Sequence, residues 1–158
     1  MPSEVEQIEA IGLMAAHESA LAELYRTYAG QPSGPQDLWS RLAEDEVRHA
    51  RWIAGFADGV KRGTTEVNPG RFSSQSVLAS LDKVRERVAE AQGGEVALLD
   101  ALSAAKDFEE ELIESRYFEI FQQDAPELKD LLARLQAETL AHRRRVTAAW
   151  EREDKERR

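Results

Sequence analysis

Apolar residues recur at intervals of three and four positions along four long segments of this chain, the pattern of amphipathic α-helices. The first segment begins after Ser3, whose spacing to Glu6 is that of a capping box, and it ends in the glycine- and proline-rich stretch 30–35. The second begins at Pro35, which suits the first turn of a helix, and continues to about Gly59. The pattern therefore predicts a helical hairpin in the first half of the chain.

The second half repeats this organisation after a long connection. Residues 60–94 begin with turn-forming residues and then contain a shorter amphipathic helix over about 74–91. A third long helix is predicted over about 95–122, and a fourth from Asp124 and Pro126 onwards. No alternating strand pattern of useful length is present, so we expect an all-α protein.

The lengths of the connections predict how these helices are arranged. Two short connections and one long one give two antiparallel hairpins joined by a crossover, which is an up-down-down-up four-helix bundle with a short extra helix in the crossover. A chain of 158 residues has room for one core of this kind, so residues 1–158 are expected to form a single domain.

Acidic and imidazole side chains interrupt the apolar stripe of each long helix near its middle. Such residues are rare on a buried helix face unless they have a partner. The interrupting residues, taken in chain order, are Glu18, Glu46, His49, Glu110, Glu138 and His142.

These positions repeat with a nearly constant offset, as the duplication of a helical hairpin would produce. The pairs that lie 92 residues apart are Glu18 with Glu110, Tyr25 with Tyr117, and Glu46 with Glu138. His49 and His142 are 93 residues apart, so Glu-x-x-His in the first half becomes Glu-x-x-x-His in the second. Both spacings keep the glutamate and the histidine on one helix face.

Four carboxylates in a dry core would each cost several kcal/mol if they were ionised and unpaired. Two divalent cations would offset four negative charges, and the two imidazoles would add nitrogen ligands suited to iron or manganese beside carboxylates. The chain contains no cysteine, so cysteine-ligated zinc, iron–sulfur and rubredoxin-type centres are excluded. The pattern predicts a dinuclear carboxylate/histidine metal site at the middle of the bundle.

At these residues the chain resembles the rubrerythrin-like branch of the ferritin-like superfamily. The resemblance covers the four main helices and rests on Glu18 with Tyr25, Glu46-Val-Arg-His49, Glu110 with Tyr117, and Glu138 with His142. It implies a ferritin-like bundle with two iron ions, manganese or zinc being the alternatives. It further implies a reaction with peroxide or dioxygen, in which the protein reduces peroxide or oxidises ferrous iron.

The chain departs from the family pattern in two ways. Thr139 stands where a second Glu-x-x-His would place its glutamate, so we expect the metal position that depends on the fourth helix to be the weaker one. The C-terminal rubredoxin module of full rubrerythrins is missing, and a turning-over peroxidase would therefore need an external electron donor.

Several neighbouring residues have two interpretations. Tyr25 and Tyr117 either hydrogen-bond to ligand carboxylates or pack as ordinary aromatics, and Glu114 is either an extra ligand or half-exposed. Solvated or surface positions are expected for His17, Glu44, Asp45 and Glu109. A metal-free bundle that serves as a structural or protein-interaction module is the alternative to metal binding.

Composition limits the partners and the location. A net charge of −9 argues against nucleic acid, and no apolar run is long enough for a bilayer. The N-terminal residues lack the pattern of a signal peptide, so a cytoplasmic location is expected. Three large aromatic side chains add more apolar surface than a single narrow bundle readily buries, which predicts at least a homodimer. They are Trp52, Phe118 and Trp150.

Overall fold

The computed structural model describes residues 3–32, 34–67, 74–114, 121–123 and 126–158. In this part of the chain the expectation of a helical bundle is confirmed, with a short two-stranded ribbon in addition. The elements are α1 (Glu4–Ala29), α2 (Gln36–Arg62), β1 (Thr65–Val67), α3 (Ser74–Gly93), α4 (Leu98–Glu114), β2 (Phe121–Gln123) and α5 (Pro126–Glu156).

The predicted start of α1 is confirmed by its hydrogen bonds. The Glu6 backbone N–H donates to Ser3 Oγ at 3.1 Å, and the Ser3 N–H donates to the Glu6 carboxylate at 3.3 Å. This reciprocal pair satisfies two backbone donors that a helix N-terminus otherwise leaves without partners.

The predicted end of α2 at Gly59 is wrong, because the helix continues to Arg62. It ends at Gly63, which takes the left-handed conformation with φ of 78° that favours glycine. Gly59 serves a different purpose, since a Cβ there would overlap with Thr65 Oγ1. The missing side chain thus lets the chain fold back against the last turn of α2.

A two-stranded antiparallel ribbon connects the chain after α2 with the chain before α5. Val67 pairs with Phe121, and Thr65 pairs with Gln123. The sequence-based expectation of one helix over about 95–122 is therefore wrong at residues 121–122, which are extended. β-Branched Thr65 and Val67 and aromatic Phe121 all favour strand geometry once a partner strand is within reach.

The helices pack in pairs around a continuous apolar core. α1 lies along α2, α4 lies along α5, and α3 covers α1. Gln31, just beyond α1, fixes the connection between α3 and α4: its side chain donates to the Ala91 and Gly94 carbonyls and accepts from the Val96 N–H. No helix in the described part of the chain is long and apolar enough to cross a bilayer.

The two tryptophans that suggested a dimer have partners within the chain. Trp52 and Trp150 are partly buried and pack against the core. The Trp150 indole N–H also donates to Ser103 Oγ at 2.8 Å. Phe118 lies outside the described residues. The homodimer therefore stays a prediction, without support from these two tryptophans.

Candidate metal centre

Ionisable side chains from α1, α2, α4 and α5 meet in the core at mid-bundle. Each is at most 1% exposed, although Glu and His are seldom fully buried without partners. The group, which we call the buried acid–histidine cluster, consists of Glu18 from α1, Glu46 and His49 from α2, Glu109 from α4 and His142 from α5.

Glu46, His49 and His142 form the centre of this cluster. One potential ligand atom from each of the three lies within 4.8 Å of the other two, close enough to hold a metal ion. The two imidazole rings stack, with centroids 5.3 Å apart and planes inclined by 22°. The Glu46-x-x-His49 spacing places both α2 residues on the inward face, as predicted.

His142 is held between carboxylates on both sides of its ring. Nδ1 lies 2.9 Å from Glu46 Oε1 and 3.6 Å from Glu109 Oε1, while Nε2 lies 2.9 Å from Asp45 Oδ2. Burial alone would lower the pKa of His142, but hydrogen bonds to Asp45, Glu109 and Glu46 outweigh it and raise the pKa to about 12. Without a metal ion, His142 is therefore an imidazolium that donates through both nitrogens.

The three buried carboxyl groups differ in their protonation. Burial, reinforced by the charge of Glu46, raises the pKa of Glu18 well above its usual range and also raises that of Glu109. Burial likewise opposes ionisation of Glu46, but Glu18, His142 and His49 together hold its pKa well below the usual range. Glu46 and His142 thus stabilise each other's charged forms, whereas burial favours the protonated forms of Glu18 and Glu109.

Several polar atoms of the cluster have no hydrogen-bond partner among the described residues. Such atoms are rare in folded proteins, where a buried polar group without a partner costs about 1–3 kcal/mol. The atoms are both oxygens of Glu18, Oε2 of Glu46, Nδ1 of His49 and Oε2 of Glu109. Of these, Glu46 Oε2 and His49 Nδ1 lie 3.4 Å from each other, an ion-pair contact without hydrogen-bond geometry. Carboxylate oxygens and an imidazole nitrogen are the donor set of iron and manganese sites, so the residues present fit a bound metal.

The buried carboxylate of α4 is Glu109, and the expectation that it is solvated is wrong. Glu109 is fully buried, whereas Glu110 has a side chain 35% exposed and pairs with Lys106 at 3.4 Å. The structure does not bring Glu110 into the cluster. The apolar residues of α4 indicate Glu109 as the inward acid. Ala105, Phe108 and Leu112 share a helix face with Glu109 rather than with Glu110.

Helix α5 contributes the buried side chain of His142 to the cluster and the partly exposed side chain of Glu138 to its edge. Thr139, three residues before His142, is 2% exposed and donates its hydroxyl to the Leu135 carbonyl at 2.9 Å. The side chain of Glu138 is 23% exposed, and its Oε1 lies 3.4 Å from His49 Nε2. Threonine therefore occupies the inward position of α5 that corresponds to Glu46 on α2.

Of the residues with two interpretations, Tyr25 proves to be a hydrogen-bonding partner. It is fully buried, and its hydroxyl donates to Glu109 Oε1 at 2.8 Å. Burial, with the charge of Glu109 next, raises the pKa of Tyr25 well above its usual range, so the phenol stays a donor. Tyr117 and the side chain of Glu114 lie outside the described part of the structure.

Two further expectations of solvation are wrong. Asp45 is the carboxylate that accepts from His142 Nε2, and this bond is the first cause that lowers its pKa. His17 is 1% exposed, because α3 covers it and Ser80 Oγ lies 2.8 Å from its Nε2. Burial lowers the pKa of His17 to about 4, so it is neutral at pH 7.

A surface cavity of about 320 Å³ between α2 and α5 leads to the rim of the cluster. His142, Glu138 and Asp45 lie on its wall, together with Arg41, Arg48 and Arg145. The cavity therefore approaches the histidine of α5, which Asp45 and its other neighbours keep buried.

Comparison of the chain with models of protein families, with curated proteins and with solved structures gave no match. The chemistry of the cluster consequently rests on the residues and distances described above.

Proposed function

We propose that this protein is a ferritin-like, rubrerythrin-like metal protein that holds two divalent ions, iron in the form we favour, and reduces peroxide or oxidises ferrous iron. One observation carries the proposal: Glu46, His49 and His142 are fully buried, and one potential ligand atom from each lies within 4.8 Å of the other two. Both carboxyl oxygens of Glu18 and Oε2 of Glu109, in the same cluster, have no hydrogen bond among the described residues. The pairing of α1 with α2 and of α4 with α5 is compatible with the up-down-down-up arrangement of ferritin-like bundles.

The ligands we assign are Glu18, Glu46, His49, Glu109 and His142, with Glu138 approaching from the rim. His142 Nδ1 faces Glu46 and Glu109, so this nitrogen is the one that would bind metal after losing its proton. Asp45 would keep accepting from Nε2–H and so hold the ring orientation and tautomer. Tyr25 orients the Glu109 carboxylate in the same way through its hydroxyl.

A pair of ferrous ions supplies two electrons and open coordination positions for an oxygen species. The chain's own residues provide the surroundings: four long helices exclude bulk water, and the cavity beside His142 admits a small molecule. The proton that Nδ1 of His142 carries without metal must be released on loading, and a metal ion would compete with protons for Glu18 and Glu109, whose pKa values burial raises. Metal affinity should therefore rise with pH.

An external reductant is part of this proposal. A peroxidase that returns to its reduced state needs electrons, and a chain without cysteine cannot hold a rubredoxin-type centre to supply them. A ferroxidase would use ferrous iron itself as the source of electrons.

One observation favours the metal-free alternative. Charges within the chain already offset each other, because the imidazolium of His142 lies 2.9 Å from the carboxylate of Glu46, and burial favours the protonated forms of Glu18 and Glu109. In that state the protein would be a helical module that acts through its surface.

Metal analysis of protein purified without chelator separates the two. We expect one to two equivalents of bound iron or manganese, and an absorption band in the near ultraviolet after ferrous protein meets peroxide. Consumption of peroxide in the presence of a reductant then distinguishes a peroxidase from a ferroxidase. Protein that neither carries metal nor takes up ferrous or manganous ion would contradict the proposal.

A further inference from the structure

Arg48 is the third residue of the Glu46-Val-Arg-His49 motif, and its side chain is partly exposed to solvent. Its Nη2 lies 2.8 Å from Asp45 Oδ1 and 2.5 Å from Glu138 Oε1, so one guanidinium bridges an acid of α2 and an acid of α5. The same oxygen of Glu138 is 3.4 Å from His49 Nε2. A single carboxylate oxygen therefore faces both a fixed cation and a histidine of the buried cluster.

Glu138 is the carboxylate that α5 brings to this region among the described residues, because the inward position is Thr139. A metal ion beside His49 would attract the Glu138 oxygen that Arg48 already holds. One oxygen cannot bind two cations at full strength, since the cations repel each other and compete for the same lone pairs.

Resting on the proposed function, we propose that Arg48 competes with the metal centre for the carboxylate of Glu138. When Glu138 stays on Arg48, the cluster binds one ion tightly through Glu46 and its buried neighbours. A second ion binds firmly only when Glu138 leaves Arg48. Arg48 is thus a positioning residue that sets the occupancy of the second metal position.

The surroundings of Arg48 allow this exchange. Its side chain is 40% exposed and lies on the wall of the cavity, so it can move without disturbing the core. Asp45 remains as its partner, and the face of Trp52 lies 5.5 Å from the guanidinium carbon. Arg48 therefore keeps two favourable contacts when Glu138 departs.

Titration of the purified chain with Mn²⁺, followed by calorimetry and by the electron paramagnetic resonance signal of the free ion, tests the proposal. We expect the wild type to bind one ion more tightly than the second. In Arg48→Gln the second ion should bind about fivefold more tightly, the value of one partly exposed ion pair. Arg48→Lys keeps the positive charge on a shorter side chain, so it should give a smaller gain.

The double variant Arg48→Gln/Glu138→Gln decides whether Glu138 mediates the effect. Loss of a positive charge would by itself strengthen cation binding through space, and that gain would persist in the double variant. The proposed competition predicts that the gain disappears when Glu138 is changed. Arg41→Gln is the matched control, because Arg41 lies in the same cavity and has no ion pair among the described residues.

Each remaining outcome is decisive. An unchanged second affinity in Arg48→Gln, with the wild type still binding metal, overturns the role of Arg48 and leaves the metal site intact. A gain that survives in the double variant overturns it as well. A wild type that binds no Mn²⁺ or Fe²⁺ at all overturns the proposed function, and the role of Arg48 with it.

Discussion

The Tyr25 hydroxyl on α1 donates a 2.8 Å hydrogen bond to the Glu109 carboxylate on α4, 84 residues further along the chain. Both side chains are fully buried, so the bond is shielded from water. It fixes the rotation of α4 about its axis, because adjacent residues point about 100° apart on a helix. Glu109 consequently faces the cluster, and Glu110 faces Lys106 near the surface.

This rotation predicts different effects for two neighbouring glutamates. Glu109→Gln should reduce the metal content of purified protein, because the variant loses a buried ligand carboxylate. Glu110→Gln should leave the metal content unchanged, since its side chain is partly exposed and pairs only with Lys106 among the described residues. Equal metal loss in both variants would show that α4 is rotated differently.

Glu46 and His49 should be the ligands whose loss matters most. Replacing either with Ala should weaken metal binding by about tenfold or more, because both are fully buried at the centre of the cluster. Elemental analysis after purification without chelator measures the effect. Glu44→Ala, on the exposed side of the same helix, is the control. Unchanged metal in both cluster variants would disprove the assigned site.

Thr139→Glu should raise the occupancy of the weaker metal position. The substitution restores Glu-x-x-His on α5 at a position that is 2% exposed and faces inward. Without metal, the same variant should be less stable, since it adds a buried carboxyl group. Leu140→Glu places the same residue on the exposed face of α5 and should change neither quantity. Metal titrations and thermal unfolding of the two variants check this, and equal behaviour would contradict it.

The metal-free protein should become less stable as pH rises above about 6.5. A histidine whose folded pKa is raised contributes stability below its unfolded pKa, and that contribution is lost as pH rises towards the folded value of about 12 for His142. The raised pKa values of Glu18 and Glu109 also lower stability as pH rises above their unfolded values, because the unfolded chain then loses protons that the folded protein keeps. The lowered pKa values of Asp45 and Glu46 affect stability only below their unfolded values.

Urea unfolding at pH 7 and pH 9 measures this loss. We expect a decrease on the order of 2 kcal/mol in the free energy of unfolding, the linkage of about one proton over two pH units. His142→Gln should flatten the dependence. Saturating Mn²⁺ should raise the melting temperature at both pH values, since the ion binds only the folded form. A melting temperature indifferent to Mn²⁺ would count against the metal site.

His17 should make the protein less stable between pH 6.5 and pH 4. Its pKa is lowered to about 4 by burial, so the unfolded chain takes up a proton in this range while the folded chain does not. The free energy lost is on the order of 3 kcal/mol. His17→Gln, which can still hydrogen-bond to Ser80, should lack this decrease. An identical pH dependence in wild type and variant would place His17 at the surface.

Helix periodicity alone predicted most of the inward residues of the cluster. Glu18, Glu46, His49 and His142 are buried where the apolar stripes place them, because each helix must bury one face. The choice of Glu110 failed for a specific reason. It followed the 92-residue offset from Glu18, whereas the apolar neighbours of α4 itself indicate Glu109.

Other features depended on contacts between distant elements and could not be seen in one sequence. His17 is buried because α3 packs over it, and the sequence does not show which helix the crossover covers. Asp45 is adjacent to Glu46, and only the position of α5 reveals that His142 lies between them. The ribbon of 65–67 with 121–123 joins two segments that have no strand pattern of their own.

That ribbon is also the common anchor of the two histidine-bearing helices. α2 continues for 13 residues from His49 to its end at Arg62, and α5 runs for 16 residues from its start at Pro126 to His142. At about 1.5 Å per residue the two helix portions are about 20 and 24 Å long. Because the two helix portions start from the same ribbon and are nearly equal in length, His49 and His142 lie at the same level along the bundle, where their imidazole rings stack. The separation of the two histidines therefore depends on the lengths of two helices measured from a ribbon that lies far from the buried acid–histidine cluster.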